Sequence, residues 1–567
     1  MISPSPFTER GPGVEVARPT RLTPVEQITG AGLLARALKG HGVHCIFSLS
    51  GDVLTPLYDA CLDEGIRIVD FRHEQAAVHA ADGWARATGQ PGVAAVTGGP
   101  GVTNTITGLA NAFHGGSPIL LIGGRRPLAE ADRGAFGEQK ALALVSPITK
   151  WARTVYGAVR IPEYVSRGLG QARSGRPGPV FLEIPADLLQ ERVEPREPAS
   201  PMVDARPQGD PQLVERAAGL LQQARRPVIL AGSGVWWGRA WDELRLLAEA
   251  YGVPVCSIRL GRGAVPEDHP LSLGPFKGAL READVVLVLG ARLDWALDFG
   301  RIINAEARIV QVDIDAGEIG RNRASEVGIV GDLGQVLRQI RQALGRAAAW
   351  ERSAWLGRVQ ELRAQFLEQV ETHARSGAAP IHPLRLCREL ADFLGRDFTL
   401  ALDGGEIQIW AAMALRVYGP GRWLDSGGFG CLGVGLPFAL AAKLARPADR
   451  VVLLTGDGSF GFSAMEIDTA VRQDLPVVAV IANDGAWGMI KHMQEEAYGR
   501  ERVVATELGW VRYDRMAEGL GAHGEFVEAP QGIRPALERA FASGRPAVVN
   551  VKCDPNVDSP FGMRYLA

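Results

Sequence analysis

The chain has 567 residues, 46% hydrophobic and 22% charged. That is the make-up of a folded protein of three or four domains, and it excludes a disordered chain, a coiled coil and a collagen. Its 61 basic and 64 acidic residues leave a net charge of −3, so no bulk field draws it to nucleic acid or to an anionic membrane. Glycine is the outlier at 69 residues, which implies many tight turns and many close backbone approaches.

In chain order, residues 1–24 carry five prolines with charges between them and no apolar core. They read as a flexible arm rather than a signal peptide. Three segments follow, at 25–190, 205–345 and 380–555, with a tail at 556–567. Pro- and charge-rich stretches at about 186–212 and 370–383 read as linkers. Each segment alternates helical patterns with short apolar runs such as GVAAVT, PILLIGG, RPVILAG, DVVLVLG, RVVLLTG and PVVAVIAN. Runs of this kind between Gly, Pro and Asp predict strands buried on both faces, hence three α/β domains built on doubly wound parallel sheets. No window reaches 18 apolar residues, so no membrane span is expected. Six scattered cysteines without metal spacing fit buried free thiols in a cytoplasmic protein.

The first and third segments share an internal repeat. A strand ends in Thr97-Gly98-Gly99 or in Thr455-Gly456-Asp457, a helix follows, and a proline (Pro118 or Pro476) leads into the next strand 21 residues after the threonine. The copies differ at the strand ends, where ligands bind in parallel α/β sheets. Copy two has Asp457 where copy one has Gly99, and it ends its second strand in Asn483-Asp484-Gly485 where copy one ends in glycines. Two oxygen ligands beside a Gly-rich turn that feeds a helix suit a hard divalent cation plus a phosphate.

GDG followed by 24 residues and Asn-Asp resembles the thiamine-diphosphate motif, and the chain resembles the acetolactate-synthase-like superfamily of thiamine-diphosphate enzymes. FRHEQAAVHAADGWARATG, VTGGPGVTN, GGFGCLGVGLP, LVLGARLD and VQVDID resemble family stretches in the family's order. The resemblance implies pyrimidine-binding, central nucleotide-binding and diphosphate-binding domains. It implies a homodimer or dimer of dimers, with the active site between two subunits.

By the same resemblance Glu74 is the pyrimidine-domain glutamate. Mg²⁺ is held by Asp457, Asp484 and the carbonyl of Ala486, with Asp484 standing where the family has an amide. The diphosphate lies against Gly404, Gly405, Glu406, Ile407, Gly456, Gly458, Ser459, Gly488 and Met489, while Gly430 and Leu432 belong to the loop that bends the cofactor. In the central domain Arg292, Asp313, Asp315 and Asp332 match positions around an adenine nucleotide, expected to be ADP rather than FAD. The substrate side is assigned to Ser50, Phe113, Phe136, Gln139 and Met493, with Glu495 or Glu496 as acid/base and Arg564 and Tyr565 in a tail that closes over coenzyme A. Gly137 stands where acetolactate-synthase-type members carry Gln, and Ser50 where benzaldehyde lyase carries His. On that pattern the expected reaction is cleavage of a 2-hydroxyacyl-CoA to formyl-CoA and an aldehyde or ketone. A benzaldehyde-lyase-like carboligase, an acetolactate-synthase-like enzyme and a non-catalytic nucleotide-binding relative are the alternatives.

Overall fold

The computed structural model describes residues 27–194, 205–345 and 352–559. The arm at 1–24, Arg564 and Tyr565 lie outside the described residues. The architecture is α/β, with three six-stranded sheets in which every strand pair is parallel. Numbering the strands of each sheet in chain order, the first and third sheets have the same spatial order, 2-1-3-4-6-5, while the central sheet runs 3-2-1-4-5-6. The repeat seen in the sequence is therefore a repeat of topology. The central order is that of dinucleotide-binding sheets, whose ligands sit where the strand order reverses.

The strands form where the apolar runs fall. Arg450–Gly456 (RVVLLTG) and Val478–Asn483 (VAVIAN) pair in the third sheet, and Gly92–Val96 and Ile119–Arg125 are their counterparts in the first. The stretch 186–212 is a linker only in part. It contains helix Ala186–Gln190 and strand Arg192–Val193, which pairs antiparallel with Ile28–Thr29 and so carries the first domain's structure past residue 190.

Helix Glu74–Thr88 joins the first and third domains. His73 caps its start by accepting from the Gln75 amide, and Gly89 ends it at φ 69°. Its residues are buried nearly all round because it lies between its own sheet and helix Gly435–Ala445. The two helices approach so closely that a Cβ built on Gly83 would lie 2.7 Å from the Phe438 Cα. One turn on, Arg86 is buried against Asp82 at 2.6 Å and donates from Nη1 to the Asp425 carbonyl at 2.9 Å, while Asn111 donates to the second Asp82 oxygen. A buried guanidinium that keeps its carboxylate is tolerated, whereas one stripped of it is costly. Asp82→Ala is expected to destabilise the protein by about 3–5 kcal/mol. The check is a lowered midpoint of thermal unfolding, with Asp82→Asn intermediate.

Candidate active site

In the third sheet the strand order reverses between Phe398–Asp403 and Arg450–Gly456. A cavity of about 320 Å³ opens there, lined by Gly404–Gln408, Gly456–Ser459, Ala486–Ile490, Gly430 and Leu432 among others. Helices Glu406–Ala414 and Gly488–Tyr498 begin at its wall, so their free N–H groups and positive ends face anything anionic inside. Glycine is required at three of these positions. Gly404 has φ +110° and lies against the Gly456 amide, and a Cβ on Gly458 or on Gly488 would lie 2.5 Å from the Trp487 ring or 2.3 Å from the Asp484 carboxylate.

Four carboxylates line this cavity, Glu406, Asp457, Asp484 and Asp554, and among the described residues no lysine or arginine does. Asp457 is 2% exposed, its carboxyl hydrogen-bonds that of Asp484, and its Oδ2 has no hydrogen-bond partner among the described residues. Burial first, and then the neighbouring Asp484, push the Asp457 pKa well above the carboxylate range; burial raises Asp484 too. An orphaned buried oxygen beside a second carboxylate fits a hard divalent cation. Asp484 anchors its turn by accepting from the Ala486 amide, whereas Asn483 is turned into the core and used up on Val511 and Asn550.

Two supporting groups were not singled out from the sequence. Asp403, at its strand's end, accepts from the Gly404 and Gly435 amides at 2.8 Å each and ties the loop after it to the loop that carries Leu432. Burial raises its pKa to about 7. His492 faces Glu406 at 3.0 Å through Nδ1 and the Pro555 carbonyl at 3.0 Å through Nε2. Burial opposes its protonation, yet Glu406 and Pro555 outweigh that and hold its pKa up at about 9. The signals were present as Asp before Gly-Gly and as His one turn after Gly488, but neither has a partner in local sequence.

The first domain carries a separate set. Glu74, 7% exposed, opens its helix and accepts from Asn104 at 2.9 Å. It is not among the residues lining the cavity in the same chain. Phe136 and Gln139 border a small cleft with the 97–100 loop; Phe136 is 82% exposed and Gln139 donates to the Gly99 carbonyl at 3.2 Å. Gly137, at φ +70°, is packed on Gly99. Ser50 is exposed, its amide on Asp70, and Phe113 presents its carbonyl to Arg176 at the nucleotide cavity described next. Neither lines the cofactor cavity. Along helix Gly488–Tyr498, Met489 lines that cavity but Met493, Glu495 and Glu496 do not. Glu495 lies between Lys491 and Arg500, and Glu496 is exposed.

A second cavity, of about 380 Å³, lies at the reversal point of the central sheet, between the ends of strands Pro227–Ala231 and Val285–Leu289. Gly234 and Gly290 touch across it, with a Cβ on the first 2.6 Å from the second. Seven arginines line it against four carboxylates. Arg292 is among them, bound to Glu318 at 3.1 Å. Asp313 and Asp332 border the cavity, and burial raises Asp313 to about 6. Asp315 does not; its carboxylate caps the next turn through the Gly317 amide. Glu318 takes the acidic place at this cavity that Asp315 was expected to fill.

Three family descriptions match successive parts of the chain: thiamine pyrophosphate enzyme N-terminal TPP binding domain at 28–144, central domain at 214–340 and C-terminal TPP binding domain at 403–551. An acetolactate synthase large subunit of Mycobacterium tuberculosis is 41% identical, over 95% of this chain and 98% of its own. A probable acetolactate synthase large subunit of Methanocaldococcus jannaschii is 35% identical, over 93% and 92%. The human 2-hydroxyacyl-CoA lyase 2 is 34% identical, over 92% and 89%.

Burial and the neighbouring Asp484 favour the protonated form of Asp457, which a cation would have to displace, so Mg²⁺ affinity is expected to rise with pH. Asp457→Ala should abolish Mg²⁺-dependent retention of thiamine diphosphate. Asp484→Asn should keep it and flatten its pH dependence, since the like-charge neighbour is gone. Calorimetric titrations between about pH 6 and 8.5 span this displacement, and a steep dependence persisting in Asp484→Asn would refute it.

Proposed function

Because the chain belongs to the thiamine pyrophosphate enzyme family, we propose that it makes or breaks the carbon–carbon bond next to a carbonyl in a small acyl substrate. The supporting observation is the cavity in which Asp457, Asp484 and two helix starts surround a space ringed by glycine. When bound, thiamine diphosphate supplies a nucleophilic carbon and an electron sink. The chain's own part is to hold the cation at Asp457 and Asp484, to support the cofactor from beneath with Leu432, and to hold and move a proton at the Glu74 carboxylate.

Within that chemistry, loop geometry favours cleavage of a 2-hydroxyacyl-CoA to formyl-CoA and an aldehyde or ketone. Gly137 has φ +70°, a left-handed conformation that disfavours the Gln side chain which acetolactate-synthase-type relatives place there. Acetolactate formation is the second reading, and similarity favours it, since the 41%-identical relative carries that name and the named lyases stand at 34–35%. Supplying the purified protein with thiamine diphosphate, Mg²⁺ and either a 2-hydroxyacyl-CoA or pyruvate separates the two. Formyl-CoA release is expected; acetolactate from pyruvate with no formyl-CoA would establish the second reading instead.

The central cavity is proposed to hold ADP, because seven arginines against four carboxylates suit a terminal phosphate better than the less charged FAD.

A homodimer, or a dimer of dimers, is the proposed working unit. Glu74 does not line the cavity of its own chain, and Phe462 and Met465, just after the cation loop, are 61% and 48% exposed. A second copy would cover these side chains and bring its Glu74 to the cofactor. Inactive Glu74→Ala and Asp457→Ala proteins, unfolded and refolded together in equal amounts, should then recover about a quarter of wild-type turnover, one intact site in each mixed dimer. No recovery would place both groups of a site in one chain.

A further inference from the structure

The cofactor cavity is anionic where an anion has to enter. Glu406 is the first residue of the helix that follows Gly404-Gly405, the helix whose positive end faces the cavity. Glu406 and Asp484 both crowd Gly488: a Cβ built there would lie 2.3 Å from Asp484 Oδ2 and 3.8 Å from Glu406 Oε2. An unneutralised Glu406 would oppose a diphosphate at that helix start and add to the charge already concentrated at Asp457 and Asp484.

His492 meets Glu406. Its side chain is 6% exposed, its Nδ1 lies 3.0 and 3.1 Å from the two Glu406 oxygens, and its Nε2 lies 3.0 Å from the Pro555 carbonyl oxygen. A carbonyl can only accept, so Nε2 carries a hydrogen. With Glu406 ionised, Nδ1 carries another, and the ring is an imidazolium. Asp558 stands 3.8 Å from Nδ1 at the solvent side, and Lys491 shares the Pro555 carbonyl while also facing Glu495. The ring thus links the Glu406 helix start, its own helix and the segment after strand Ala547–Lys552, which sends Asp554 and Val557 into the cavity wall.

We propose that His492 is a positioning residue for the diphosphate: its imidazolium neutralises Glu406 and draws that carboxylate aside, so that the helix start at Glu406 accepts the diphosphate instead of repelling it. The inference rests on the reading that the diphosphate enters this cavity.

The test is the affinity of thiamine diphosphate in the presence of Mg²⁺, measured by calorimetry on the full-length protein without substrate. His492→Gln should weaken binding about tenfold or more, because it leaves a buried carboxylate uncompensated. Glu406→Gln should bind as wild type or more tightly, and the double variant should recover to within about threefold of Glu406→Gln. Recovery distinguishes charge compensation from mere packing, which removing Glu406 would not restore. Unchanged binding in His492→Gln overturns the proposal, as does a double variant as weak as His492→Gln. Should His492→Gln fail to fold, Glu406→Gln decides alone, and a tenfold loss there overturns it. Asp457→Ala, run alongside, keeps the two readings apart: binding that survives it would show that the diphosphate does not enter this cavity, whatever His492 does.

Discussion

The site depends on carboxylates buried at adjacent strand ends with no lysine or arginine among the described residues of the cavity wall. A buried carboxylate is expensive unless a positive charge or hydrogen bonds meet it. Asp403 is met by backbone amides and Glu406 by His492, whereas Asp457 has backbone amides for one oxygen only and a second carboxylate, Asp484, beside it, so burial leaves it above the usual carboxylate range with Oδ2 unpartnered. The imbalance is what makes the place receptive. A divalent cation held there would relieve Asp457 and Asp484 together and would bring the positive charge that a diphosphate among acids requires.

The duplicated topology explains why the chain needs only one such place. Both outer sheets have the same strand order and so present the same pair of neighbouring strand ends, those of the third and fourth strands. In the third sheet those ends carry Asp457 and Asp484; in the first they carry Gly99 and Arg125, with Gly137 laid against Gly99. The strand ends of the first copy keep paired charges instead, Arg126 with Asp52 and Arg125 with the buried Glu183, while Glu74 opens the helix nearby.

Much of this was legible in the sequence because it is local. Continuous apolar runs gave the parallel strands, equal spacing of Thr-Gly and Pro gave the duplication, and Asp457 and Asp484 stood where the copies diverge. What was not legible depends on contacts between distant segments. The His492–Glu406 pair joins residues 86 apart, and no periodicity marks it. Asp315 looked like a strand-end acid for a ribose, yet a two-residue turn captures its carboxylate, and Glu318, which carries no motif, borders the cavity instead. That Met489 lines the cavity of its own chain while Glu495 and Glu496 do not was hidden for a related reason. Helical spacing says which residues share a face, but only the packing of helix Gly488–Tyr498 says which turn of that face meets the cavity.

The two cavities also share a wall. Asp425 and Gly427 border the nucleotide cavity, and Gly427 and Gly430 border the cofactor cavity. Asp425 accepts from the Gly427 amide through its side chain and from Arg86 through its carbonyl, and Arg86 itself lines the nucleotide cavity while paired with Asp82 on the helix that begins at Glu74. One short segment is thereby held by the first domain, faces the central cavity on one side and leads to Leu432 on the other. Packing of this density does not deform continuously, so whatever braces Arg86 and Asp425 from the side of the central cavity also bears on where Gly430 and Leu432 stand in the third domain's cavity wall.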